Sequence, residues 1–138
     1  MKLIHCADIH LDSPMQTHMT AQQASVRNTE MLQSFVRLTE FAQEHAVRAV
    51  LIAGDLFDGA RVRARTVDAL LAAIRRTPEV DYLYLPGNHD EAANAFCDCA
   101  LPENLKVFGK KWTTYRYDGI AISSAQLGLD AAFYESLP

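Results

Sequence analysis

The chain has 138 residues, with 13 Lys and Arg against 17 Asp and Glu, a formal net charge of −4 and a pI near 5.7. That length allows one domain with a real core, and the acidic balance excludes a surface that is basic overall and grips a polyanion everywhere. No apolar run can span a bilayer, the start Met1-Lys2-Leu3-Ile4-His5 lacks a signal peptide's apolar core, and the odd set Cys6, Cys97 and Cys99 argues against a disulfide framework, which together imply a reducing, cytoplasmic setting.

Residues 2–7 read as a short, mostly apolar strand, followed by a loop holding Asp8, His10, Asp12 and Pro14. From about residue 21 to 46 the pattern turns helical, with Met31, Phe35, Leu38 and Ala42 on one apolar face. Thr20 with Gln23 fits a capping box at its start. Residues 49–53 are an unbroken apolar run ended by Gly54, as suits the middle of a parallel sheet. A second helix is expected over roughly 61–76, burying Val67, Leu70, Leu71 and Ile74 and ended by Pro78. Residues 82–86 form the third strand, followed by Gly87. The order β-α-β-α-β implies an α/β fold of parallel strands with right-handed crossovers. After residue 104, Leu105–Phe108, Thr113–Tyr117 and Ile120–Ser123 read as short strands, with Asp118-Gly119 as a hairpin turn.

The polar residues follow the strands. Asp8 and His10 come just after the first, Asp55 and Asp58 after the second, Asn88, His89 and Asp90 after the third. Ligands of open parallel sheets bind at the carboxyl ends of the strands, so three separate segments converge on one crevice. Taken singly, each cluster is usually a polar loop or turn; jointly, in this order, they point to a site. Carboxylate, imidazole and amide oxygen form a borderline-hard ligand set suited to manganese, iron or zinc. A carboxylate such as Asp55 can bridge two metals about 3.5–4 Å apart, and a nearby His that is not a ligand can protonate a leaving oxygen.

Asp8-Ile9-His10, Gly54-Asp55-Leu56-Phe57-Asp58 and Gly87-Asn88-His89-Asp90 resemble the calcineurin-like metallophosphoesterase superfamily across roughly residues 1–95. The longer stretches His5–Pro14, Ala53–Asp58 and Leu85–Asp90 look like the SbcD-type DNA repair exonucleases. Protein phosphatases of the superfamily would usually show Arg-Gly where Gly59-Ala60 stands and Glu where Asp90 stands. The resemblance implies a metallophosphoesterase β-sandwich flanked by helices, two divalent metals with manganese preferred, DNA as substrate and an ATPase partner carrying a long coiled coil. It implies that Asp8, His10 and Asp55 hold the first metal, with Asp55 bridging, and that Asn88 serves the second. It further implies that His89 contacts the phosphate or protonates the leaving group, with Asp58 orienting His89 and Asp90 fixing the loop.

The family completes its site with a later His and a Gly-His-X-His motif, yet the five histidines here are His5, His10, His18, His45 and His89. Three expected ligands and the second half of the sandwich are therefore missing from residues 1–138, which are expected to form one truncated, weakly active or inactive domain. The alternatives are another phosphoesterase acting on nucleotides or phosphoproteins, or a non-catalytic fragment that forms a homo-oligomer through its exposed surfaces.

Other features carry less. Cys97-Asp98-Cys99 lacks a second pair at zinc-site spacing and reads as free thiols. His5 is expected to pack or hydrogen-bond, His18 to lie on the surface, and His45 to end a helix where a cation suits the dipole. Arg61, Arg63, Arg65, Arg75 and Arg76 read as a solvated helix face in preference to a phosphate-binding one. Trp112, Tyr115 and Tyr117 read as sheet packing in preference to base stacking.

Overall fold

The computed structural model describes residues 1–15, 18–58, 62–87, 96 and 99–126. The elements in order are β1 (Leu3–Cys6), α1 (Ala21–Glu44), β2 (Ala49–Ala53), α2 (Ala64–Arg75), β3 (Asp81–Leu85), β4 (Leu105–Val107), β5 (Thr113–Tyr117) and β6 (Ile120–Ser124). They form a four-stranded parallel sheet in the order β1-β2-β3-β4 and a separate antiparallel hairpin, β5-β6.

Both helix ends of α1 have local causes. The Thr20 hydroxyl accepts from Gln23 N at 3.2 Å and the Gln23 side chain accepts from Thr20 N at 2.9 Å, which completes the expected capping box. At the other end, Ala46 N donates to Gln43 O at 3.1 Å and Val47 N to Ala42 O at 2.9 Å, while Ala46 takes φ 52°. This is a Schellman ending with Ala where Gly is usual. His45 caps the helix, stacked on Phe41 at 3.8 Å.

The helices lie on one face of the sheet. Phe35 and Ala42 of α1 and Val67, Leu70, Leu71 and Ile74 of α2 pack with Val50, Ile52, Tyr82 and Tyr84 of the strands in one buried cluster. Met31 and Leu38 pack against its border. The alternate strand positions Ala49 and Leu83 face the other way and are covered by Phe108, Tyr115, Tyr117 and Ile122. The architecture is thus helices, parallel sheet and hairpin in three layers, an α/β fold consistent with the N-terminal part of a metallophosphoesterase domain.

Side chains fix the less regular parts. The Asn104 amide nitrogen, in a residue 8 % exposed, lies 2.9–3.0 Å from the carbonyls of Ile74, Thr77 and Val80. It thereby satisfies the C-terminal end of α2 and sets where β4 begins. At the amino-terminal edge of the sheet, Asp81 accepts from Lys106 Nζ at 2.6 Å and from the Tyr117 hydroxyl at 2.8 Å, which pins the hairpin to β3 and β4. Burial and then the Asp81 carboxylate push the Tyr117 phenol well above its ordinary range.

Candidate metal centre

Beyond β1 and β2 the two chains continue side by side as an irregular parallel pair. Asp8 N donates to Gly54 O at 3.3 Å, His10 N to Asp55 O at 2.9 Å, Leu11 N to Leu56 O at 2.9 Å and Asp58 N to Leu11 O at 3.1 Å. Leu11, Leu56 and Phe57 are buried and draw this pair into the core, so the residues between them are left at the edge. Asp8, His10, Asp12 and Asp55 take φ values of 54°, 51°, 59° and 48°. Left-handed backbone is uncommon outside glycine, and Asp and His are among the residues that enter it most readily. The outcome is that Asp8, His10 and Asp55 each present a potential ligand atom, all within 4.8 Å of one another.

Two glycines make room for Asp55. Gly54 sits at φ 84° and its N–H donates to Leu85 O at 2.8 Å, which ties the turn after β2 to the end of β3. Gly87 lies directly behind the carboxylate, and any side chain there would fill the space that Asp55 uses.

The donors fit a divalent cation on the chemistry of their own environment. Asp55 Oδ1 and His10 Nδ1 are buried with no hydrogen-bond partner among the described residues. A buried polar atom left so is costly unless something else answers it. His10 Nε2 lies 3.8 Å from Asp8 Oδ1 and His10 Nδ1 lies 3.8 Å from Asp58 Oδ2, both beyond hydrogen-bond length. The Asp8 side chain is 72 % exposed, so the cluster opens to solvent on that side. Two carboxylates and an imidazole suit manganese, iron or zinc over softer or purely oxygen-seeking ions.

Around this cluster stand two braces. The Ser13 hydroxyl donates to Asp58 Oδ2 at 2.7 Å, and Asn28 Nδ2 of α1 donates to Ser13 O at 3.0 Å. The second brace is Asp12. Its Oδ2 accepts from Arg63 N at 2.8 Å, and its Oδ1 accepts from Arg63 Nε at 2.9 Å and from Arg63 Nη2. Burial pushes the Asp12 carboxyl up, but hydrogen bonds from Arg63 and Thr66 and the Arg63 charge outweigh it and hold the group below the usual carboxylate range.

The structure therefore brings Asp8, His10 and Asp55 together, with Asp58 beside His10. Asn88, His89 and Asp90 lie outside the described residues, as do Arg61, Cys97 and Asp98. His5 and His18 are exposed. Arg63 is neither a free solvated cation nor one available to a phosphate, because its guanidinium is committed to Asp12. The sequence reading missed this pair.

Comparison with known proteins places the chain in a family. The calcineurin-like phosphoesterase family matches residues 1–130. The chain is 29 % identical over 112 residues to an uncharacterized metallophosphoesterase, YhaO, of Bacillus subtilis, covering 78 % of this chain and 28 % of that protein. It is 30 % identical over 95 residues to the DNA double-strand break repair protein Mre11 of Methanopyrus kandleri, covering 65 % of this chain and 19 % of that protein. The chain thus spans less than a third of the length of either relative. The second likeness falls in the branch that the sequence motifs resemble. With a family match over nearly its whole length and an acid–imidazole cluster at the carboxyl ends of its parallel strands, the chain belongs to the calcineurin-like phosphoesterase family.

Proposed function

We propose that this domain serves a metal-dependent phosphodiesterase that degrades DNA from its ends in repair, with manganese as the working metal. The observation that carries the reading is the cluster of Asp8, His10 and Asp55, with buried oxygen and nitrogen atoms that have no partner among the described residues. The family uses divalent metals, and Asp8, His10 and Asp55 would hold the first of them, with Asp55 shared by a second that also takes the Asn88 amide oxygen. Divalent cations at such a pair supply charge neutralisation at the phosphoryl group and an activated water. His89 would contact the phosphate or hand a proton to the leaving oxygen, and Asp58 would orient it.

The choice of DNA is supported by the Mre11 likeness and by charge. Arg65, in the first turn of α2, and Lys110 and Lys111, just after β4, stand at the carboxyl edge of the sheet and make no ion pair among the described residues. Cations so placed can receive phosphates that flank the scissile one. An ATPase partner with a long coiled coil belongs to the same reading. Within the described residues no helix is long and apolar enough to cross a membrane.

The test uses manganese calorimetry together with two substrates, bis-p-nitrophenyl phosphate and linear duplex DNA. Manganese binding, slow diester cleavage and loss of DNA from its ends, all abolished by Asp55→Ala, are expected. Diester cleavage with DNA left intact would favour a nucleotide or phosphoprotein substrate. Absence of both binding and cleavage would overturn the metal reading.

A further inference from the structure

The geometry points to Asp12 as a positioning residue for the metal-ligand loop, held in place by Arg63. The inference rests on the reading of Asp8 and His10 as ligands and deepens it, since both Asp12 oxygens are taken up by Arg63 and Asp12 acts through the loop.

Three observations combine. First, the Asp12 side chain is only 4 % exposed, and both its oxygens are engaged by one residue 51 positions away, through a backbone N–H and a guanidinium fork. Such a fork fixes orientation as well as distance. Second, the loop it belongs to is strained. Asp8, His10 and Asp12 alternate in left-handed backbone at φ 54°, 51° and 59°. Strained residues persist where the surroundings over-determine them. The ladder to the second segment pins Asp8, His10 and Leu11, and its last bond ends on Leu11 O. Asp12 is the next residue along and the first fixed by a side chain.

Third, the anchor itself is rigid. Arg63 is the N-cap of α2, whose side chain gives no capping bond, while Val67, Leu70, Leu71 and Ile74 bury the helix in the core. The Asp12 carboxylate meets the start of that helix in the place of a cap, touching Thr66 as well as Arg63. Each partner therefore completes the other. The helix start gains an acceptor, and the ligand loop gains a fixed end point two residues beyond His10.

The experiment compares the chain with Asp12→Asn, Arg63→Ala, Arg63→Lys and the double variant Asp12→Asn/Arg63→Ala. Tyr117→Phe serves as a control that loosens the opposite end of the sheet. Manganese affinity is read by electron paramagnetic resonance, and hydrogen exchange is read at the His10 and Leu11 amides. Asp12→Asn and Arg63→Ala are expected each to weaken manganese binding tenfold or more and to speed exchange at both amides by a similar factor. The double variant should be no worse than either single one, and Arg63→Lys should recover part of the loss. Tyr117→Phe should lower the melting temperature while leaving affinity and exchange unchanged. Variants that melt earlier yet keep wild-type affinity and exchange would overturn the positioning role. Should Asp12→Asn fail to fold, Arg63→Lys decides by the same readouts. Should the unaltered chain bind no manganese, the metal reading fails, and exchange at His10 and Leu11 alone decides whether the pair fixes the loop.

Discussion

A Cβ atom built on Gly87 would stand 2.6 Å from Asp55 Oδ1 and 2.9 Å from Asp55 N. The same point would lie 3.2 Å from Gly54 Cα, so neither the carboxylate nor the turn that carries it can step back freely. Gly87→Ala is expected to displace Asp55 and to cost stability by about 1–3 kcal/mol, as overpacking does. Scanning calorimetry should show an earlier melt, and a manganese titration should show weakened binding. An alanine variant that binds manganese as well as the natural chain would mean that Asp55 is not part of the site.

Ala46 offers a change in the other direction. It holds φ 52° at the Schellman end of α1, where an L side chain is strained and glycine is not. Ala46→Gly should raise stability by about 1 kcal/mol. The melting midpoint should rise by a few degrees with the metal site untouched, and a drop would show that the left-handed turn is not kept in solution.

The hairpin end of the sheet should respond to alkali. Burial and the Asp81 carboxylate raise the Tyr117 phenol above its ordinary value, and burial does the same to Tyr82. A group whose protonated form is favoured by folding contributes its full stabilisation below its unfolded pKa, about 10 for tyrosine, and loses it as pH rises further. Urea midpoints should therefore fall above about pH 10. Tyr117→Phe should cost about 1–2 kcal/mol near neutrality, because it removes a hydrogen bond to a carboxylate. The gap to the natural chain should narrow in the alkaline range; a constant gap from pH 8 to 11 would assign the loss to packing instead.

Asn104 provides a test of how β4 is placed. Asn104→Leu removes a buried donor from the carbonyls of Ile74, Thr77 and Val80; Ile74 O keeps its bonds from Thr77 and Thr77 O keeps its bond from Val80 N, so the loss falls mainly on Val80 O. Removing a donor in this way costs about 1–3 kcal/mol for each group left without a partner. Denaturation midpoints measure the loss, and faster hydrogen exchange in Leu105–Val107 should accompany it.

Local pattern made much of this fold readable. Thr20 and Gln23 marked the start of α1 because a capping box is a short-range device, and the apolar runs around Val50 and Leu83 marked buried strands. The edge residues Asp8, His10 and Asp55 could be grouped because strand order alone decides which loops share an edge. What could not be read depended on distant partners. Arg63 stands in a run of arginines, and nothing near it tells that Asp12 takes its charge. Gly54 and Gly87 each read as a turn, whereas their mutual closeness appears only when β2 and β3 pair. The aromatic series also divides: Tyr115 and Tyr117 pack against the sheet, but β5 begins at Thr113 and Trp112 is 39 % exposed.

The alignment of β1 with β2, Leu3 opposite Ala49 through Cys6 opposite Ile52, has a consequence for how the chain reaches its native form. The two segments meet across the whole of α1, and a slip by one residue would turn every side chain of β1 to the wrong face. Asp8 and His10 would then no longer stand opposite Asp55. A divalent ion binding the three together favours the correctly aligned population alone, by RT ln(1 + [M]/Kd). Metal held by the three residues would thus act as a proofreader of strand pairing, raising the yield of refolding by withdrawing chains from misaligned states.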